Sequence, residues 1–165
     1  MRFIVSWEGL LATLTILAAL GTGLVAGVFY AFSTFVLRAL HLRPAVEGIA
    51  AMQSINRVVL NPMFLGVLIG TTPLGIAVAI LACFRSSAAG AAWAIAGAAL
   101  YFLGCFAVTM FGNVPLNNGL AAMTPQQPDA SARWDHYVRR WSLWNHVRTA
   151  AALAASAAFI ILLRQ

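Results

Sequence analysis

Residues 88–118 read AAGAAWAIAGAALYFLGCFAVTMFGNVPLNN. The first twenty-four of these, Ala88 to Phe111, contain no charge. A hydrocarbon core of about 30 Å is crossed by about 20 helical residues, so this run is long enough to span a bilayer. It then stops in Gly112-Asn113-Val114-Pro115-Leu116-Asn117-Asn118, where a plain anchor would carry a few cations. Pro115 cannot continue a helix's hydrogen bonds, and Gly112 and Asn113 suit a helix end. The expectation is a helix end turned inward. Three asparagines exceed what one helix end requires, because buried amides need partners. The surplus marks one wall of a polar pocket.

The rest of the chain has the same character. It is 62% hydrophobic and 8% charged over 165 residues, and its mean hydropathy is +0.87, outside the range of a soluble domain. Candidate spans lie at about 9–37, 60–84, 91–111 and 143–163. Lipid forbids unpaired backbone, so these imply an all-α, integral membrane four-helix bundle forming a single domain over residues 1–165. The first span is too long for the core of a signal peptide, about 7–15 residues, and is kept as a span. A kink is expected at Pro73. Gly23-xxx-Gly27 and Gly66-xxx-Gly70 have the spacing that lets helices approach closely.

With four spans, the connections at 38–59 and 112–142 share one membrane face. All six asparagines, all three histidines and seven of the ten arginines fall on it. The arginine bias argues that this elaborated face is cytoplasmic, in an inner or plasma membrane. The net charge of +6 is carried by arginines flanking apolar runs, so membrane lipids explain it and nucleic acid is not expected as a partner. Cys83 and Cys105 form no CxxC and read as small buried hydrophobes.

The first long connection, HLRPAVEGIAAMQSINRVVLNP, is expected to form an amphipathic helix, with Pro44 opening it and Asn61-Pro62 ending it. Gln53 and Asn56 share a neighbouring face. The second leads into DASARWDHYVRRWSLWNHVRT, in which Asp129 or Ser131 can cap a helix. Trp134, Trp141 and Arg148 are spaced by seven, as are Tyr137 and Trp144. This stripe is either an interfacial aromatic belt or the flat apolar wall of a ligand pocket.

The words NRVVLNPMF, GNVPLNN and WSLWNHVRT, after GVFYAFSTFVL, resemble the anthrone oxygenase-like family of small four-span membrane proteins over roughly residues 14–163. The resemblance implies site positions at Asn61, Asn113, Asn117, Trp144, Asn145 and Arg148, and oxidation of a lipophilic aromatic, anthrone-like molecule by O₂. Such chemistry asks for a base, expected at His146 or His136. It asks for donors to an oxyanion, expected from Asn113, Asn117, Asn145 and Arg148. It asks for a slot for flat rings, walled by Tyr137, Trp141, Trp144 and Phe111. Two alternatives stand beside this reading. One is a haem or metal held by His41, His136 and His146, with Asp135; the spacing gives little support. The other is a non-catalytic binder of a lipophilic ligand.

Overall fold

The computed structural model describes residues 7–165. The fold is all-helical, and four of its helices are long and apolar enough to cross a membrane. These are α1 (Trp7–His41), α3 (Pro62–Arg85), α4 (Ala88–Ala121) and α5 (Ala130–Leu162). A shorter helix, α2 (Ala45–Val58), lies in the first long connection. Among the described residues there are no strands.

α1 packs on α3 and α5, and α4 packs on α3 and α5, which closes a four-membered ring of helices. α3 begins at Pro62, with Asn61 as its cap: Asn61 Oδ1 accepts from Phe64 N at 3.0 Å. Ser87 caps α4 in the same manner, through Gly90 N. Both caps supply an acceptor to a helix N-terminus that lacks one. Pro73 lies inside α3, which runs on past it. Asp129 precedes α5 without a side-chain capping bond.

The core has three tiers. Near the plain end, small residues (Ala18, Ala19, Ala82, Ala94) meet Val78 and Phe159. In the middle, Val25, Phe29, Leu68, Tyr101 and Cys105 pack with Ala152 and Ala155. At the elaborated end, Leu37, Ile49, Met52 and Leu120 enclose Trp134, Tyr137 and Trp141. Ile49 and Met52 bring α2 down onto α5, so this helix is a roof on the bundle and not a strip lying free on the bilayer. Burying two such side chains contributes about 1.5–3 kcal/mol each. Gln53 fastens the roof further by donating to the carbonyls of Leu120 and Met123 at 2.8 and 3.0 Å. Those carbonyls lie at the C-terminal end of α4, where intrahelical partners run out.

Two expectations change. First, Gly112–Asn118 does not end a helix. α4 widens into π-type turns at Leu100–Ala107 and Thr109–Asn113 and resumes as α-helix at Val114–Ala121. Pro115 falls in the first turn of that last stretch, directly after a widened turn, where the i−4 bonding pattern is already interrupted and a residue without an N–H is accommodated. Second, the glycines that bring helices together are not the expected pairs. An added Cβ at Gly27, Gly66 or Gly70 would meet nothing within 4 Å, and of the four expected glycines Gly23 alone faces a neighbour, Ser156 Oγ of α5 at 3.4 Å. At Gly104 it would lie 2.5 Å from the Ala151 Cβ, and at Gly112 2.9 Å from the Trp144 ring. Close approaches join α4 to α5, at Gly97 as well as beside the widened turns, and α1 to α3, where Gly21 faces the Thr71 side chain.

Candidate functional site

α1 also widens, at Phe32–Val36, at the level where α4 does. Such wide turns recur at functional sites because they shift side chains out of the regular register. Between them, α5 carries Trp141, Asn145 and Arg148 on one face, four and three residues apart.

Arg148 is 4% exposed. Its Nη2 donates to Asn145 Oδ1 at 2.8 Å and its Nη1 to Thr109 Oγ1 at 3.3 Å. The guanidinium carbon lies 4.0 Å from the centre of the Phe29 ring and 5.0 Å from that of Trp141. Its Nε has no partner. The ion pairs among the described residues are His41–Asp135, Arg43–Glu47 and Arg133–Asp129, all on exposed surface. Arg148 therefore sits inside the bundle with no carboxylate beside it. A guanidinium keeps its charge in proteins, so the site carries a fixed cation in a low-dielectric surrounding.

Asn145 is fully buried and holds Arg148 in place. Its Nδ2 donates to the Phe29 carbonyl at 2.8 Å and to Ser33 Oγ at 2.7 Å, which ties α5 to α1. Ser33 in turn is 3.1 Å from Thr149 Oγ1. A second node stands one turn and more towards the roof. Asn117 Oδ1 accepts from Trp141 Nε1 at 2.8 Å and from Tyr137 Oη at 3.0 Å. An indole N–H only donates, so the orientation of this amide is fixed and its remaining group is an NH₂ donor. Asn113 is fully buried and donates to the Trp141 carbonyl at 3.2 Å, while its Oδ1 is unpaired. Trp134 stacks on Tyr137 at 5.5 Å and Trp141 packs on Phe32 at 5.6 Å.

A cavity of about 370 Å³ opens beside this network. That volume is within the range of about 300–1,000 Å³ for small-molecule sites. Its walls are mostly apolar: Phe29, Phe32, Met52, Ile55, Phe64, Leu68 and Phe106. Polar atoms enter from Arg148, Thr109, Asn117 and Asn56. At its rim stand Ile69, Met110 and Leu60, which are 51%, 45% and 66% exposed. Ile69 and Met110 belong to helices long and apolar enough to span a membrane, so the mouth they frame opens on the apolar outer face of the bundle.

The structure gathers Asn113, Asn117, Tyr137, Trp141, Asn145 and Arg148 into one connected network. Of these Asn117, Trp141 and Arg148 line the cavity. The remaining candidates lie elsewhere. Asn61 is spent on its helix cap and on a bond to the Val58 carbonyl. Trp144 covers the backbone at Gly112 and does not line the cavity. Phe111 is 85% exposed and walls nothing. His146 is exposed and outside the cavity, because it follows Asn145 directly and so turns to another side of α5. His136 lines a separate surface groove with Arg133 and Asp129. His41 pairs with Asp135 at 2.8 Å. No three His, Cys, Asp or Glu side chains come together among the described residues, so His41, His136 and His146 do not form a shared donor set for a metal ion. The sequence reading missed Thr109, Phe29 and Ser33. Their one signal is spacing: Thr109 precedes Asn113 by four, and Phe29 precedes Ser33 by four.

The profile of the family described as anthrone oxygenase matches residues 62–158, more than half of the chain. The chain belongs to the anthrone oxygenase family. The matched region carries Asn113, Asn117, Trp141, Asn145 and Arg148, while Phe29, Ser33 and Asn56 lie before it. No curated protein and no solved structure matches the chain at a significant level.

Proposed function

We propose that this member of the anthrone oxygenase family oxidises a lipophilic aromatic, anthrone-like substrate with O₂, and that the cavity beside Arg148 is its active site. The observation that carries the reading is Arg148 itself: a buried guanidinium with an unpaired Nε, no carboxylate, and an apolar cavity of about 370 Å³ against it. A buried cation held only by neutral groups still lacks a counter-charge, which an anionic ligand supplies. The conjugate base of an anthrone, an enolate whose oxygen lies on a flat apolar ring system, supplies the missing charge and fits the walls.

Each group then has a role. Arg148 binds the enolate oxygen and lowers the energy of the deprotonated substrate, as an oxyanion site does. Asn145 is a positioning residue, since it holds the guanidinium through a bond at 2.8 Å. Trp141, Phe29 and Phe32 bracket the rings. Among the described residues no carboxylate or imidazole lines the cavity, so this reading sends the proton to water at the polar end and not to a side chain. The expected base role of His146 is therefore set aside.

The electron count closes without a reductant. Converting the substrate CH₂ to C=O removes four electrons, and O₂ accepts four. The carbanion transfers one electron to O₂, and the resulting radical pair joins at carbon to give a hydroperoxide. Loss of the remaining C–H proton and cleavage of O–O give the quinone carbonyl and water.

The test is anthrone-dependent O₂ uptake by the purified protein in lipid nanodiscs. One O₂ is expected per quinone formed, at a rate well above that of protein-free nanodiscs, and Arg148→Met should abolish the excess. A wild-type rate equal to the protein-free rate would contradict the proposal.

A further inference from the structure

Away from the cavity, α1 and α5 carry two polar stripes on the outside of the bundle. On α5, Asp135, Arg139, Ser142 and His146 follow one another at four, three and four residues, so they share one face. It is not the buried face of Trp141, Asn145 and Arg148. On α1, Tyr30, Thr34, Arg38 and His41 follow at four, four and three, and all four are exposed. The widened turn does not break this stripe, since the Thr34 hydroxyl donates to the Tyr30 carbonyl at 2.8 Å.

The two stripes meet. His41 Nε2 lies 2.8 Å from Asp135 Oδ1, which joins them at the top and sets their register. The helices are antiparallel, so Arg38, three before His41, comes level with Arg139, four after Asp135. Lower down, Asn145 bonds to the Phe29 carbonyl at 2.8 Å, which brings the next residues, Tyr30 and His146, close to level as well. Arg38, Arg139 and His146 are exposed, and among the described residues neither arginine is in an ion pair. The stripes hold one carboxylate, Asp135, and His41 takes it.

Their height is fixed by α3. Gly21 of α1 faces the Thr71 side chain. Nine residues further up each of these antiparallel helices, Tyr30 comes level with Pro62, where the uncharged run of α3 begins. Tyr30 and His146 therefore stand at the edge of the apolar slab, and Arg38 and Arg139 about two turns beyond it. An ionisable side chain exposed at that edge is costly beside hydrocarbon and is matched by an anion.

We propose that the outer groove between α1 and α5 binds one anionic phospholipid, with Arg38 and Arg139 holding its phosphodiester from either side and Tyr30 and His146 bordering its glycerol esters. A guanidinium offers phosphate a planar fork of donors, and its apolar stem is long enough to return the charge to headgroup level. A zwitterionic lipid brings an ammonium too, and the stripes have no free carboxylate for it, so the site selects a net negative headgroup. The bound lipid bridges α1 and α5, the helices whose inner faces carry Phe29 and Arg148.

Native mass spectrometry of the detergent-solubilised protein tests this, with phosphatidylglycerol and phosphatidylcholine of identical chains in equal amounts. The first bound lipid should be phosphatidylglycerol by at least about tenfold. Arg38→Gln with Arg139→Gln should reduce that preference to within about twofold, and Arg38→Lys with Arg139→Lys should retain most of it. Arg57→Gln with Arg140→Gln removes the same charge outside the stripes and should leave the preference intact. Glycerophosphoglycerol, the headgroup without chains, should not displace the lipid when added in excess. Displacement by it would assign the arginines to a soluble phosphate and overturn the lipid site. No preference in the wild type, or an equal loss in both glutamine pairs, would overturn it as well.

Discussion

Replacing Arg148 with methionine separates a functional cation from a structural pin. Methionine keeps an unbranched apolar side chain in a site walled by Phe29 and Trp141 and removes the charge. On the ligand side, a charge-assisted hydrogen bond of about 1.5–3 kcal/mol is lost, which is roughly ten- to hundredfold in affinity. On the stability side two effects oppose each other. Asn145 Oδ1 loses its 2.8 Å donor, and an unsatisfied buried acceptor costs about 1–3 kcal/mol. Against this, a desolvation penalty of several kcal/mol disappears, since no carboxylate pairs with Arg148. The two nearly cancel. Arg148→Met should therefore unfold within a few degrees of the wild type, or above it, while enolate binding falls at least tenfold. Arg148→Lys keeps the charge as a compact ammonium without the fork and should recover part of the binding. The assay is paired: thermal unfolding in detergent, and anaerobic anthrone titration of the same preparations. Undiminished binding in Arg148→Met would refute the reasoning, as would a large loss of stability that Arg148→Lys restores together with binding.

Other positions give simpler outcomes. Asn117→Leu strands the buried Trp141 indole and Tyr137 hydroxyl, so unfolding should become easier by about 2–5 kcal/mol, whereas Asn117→Asp keeps both bonds and most of the stability; chemical denaturation measures both. Gly104→Ala places a methyl 2.5 Å from the Ala151 Cβ and should cost about 1–3 kcal/mol, while Gly70→Ala, with nothing within 4 Å, should be neutral or slightly stabilising in the same assay. His146→Ala should retain anthrone oxidation within twofold of the wild type in the O₂-uptake assay, because His146 is exposed and outside the cavity.

Four spans and their one-sided polarity were legible because bilayer thickness and backbone satisfaction leave few alternatives to a helical bundle. The face of α5 that carries Trp141, Asn145 and Arg148 was legible from helical spacing. The continuation of α4 through Pro115 was not. It depends on π-type turns at Leu100–Ala107 and Thr109–Asn113, and insertions of this kind leave the hydrophobic pattern of an all-apolar run unchanged. The packing glycines were misplaced as well: Gly90, Gly97 and Gly104 recur at seven on the face of α4 that meets α5, a spacing that the small-xxx-small pattern does not pick out. Histidine drew attention as the only side chain with an ordinary pKa near neutrality, yet His41, His136 and His146 all lie outside the cavity. Thr109 and Phe29 carried no signal beyond their spacing from Asn113 and Ser33, since each becomes part of the site only when α1 and α4 face Arg148. Asn56 was visible as a polar residue on an amphipathic helix, but only the folding of α2 over the cavity brings it to the lining.

The central claim is that the cavity holds its aromatic ligand as an anion against Arg148. The most direct measurement uses a monohydroxyanthraquinone that O₂ does not oxidise and whose phenolate absorbs at longer wavelength than its phenol. Its visible spectrum is recorded free and bound to the protein in nanodiscs across a pH series. A charge-assisted bond of about 1.5–3 kcal/mol corresponds to about one to two pH units. The account requires the bound dye to ionise at a pH lower than the free dye by that amount, and the shift to vanish in Arg148→Met. A bound dye that ionises at the same pH as the free one, or at a higher pH as an ordinary apolar pocket would impose, would contradict it.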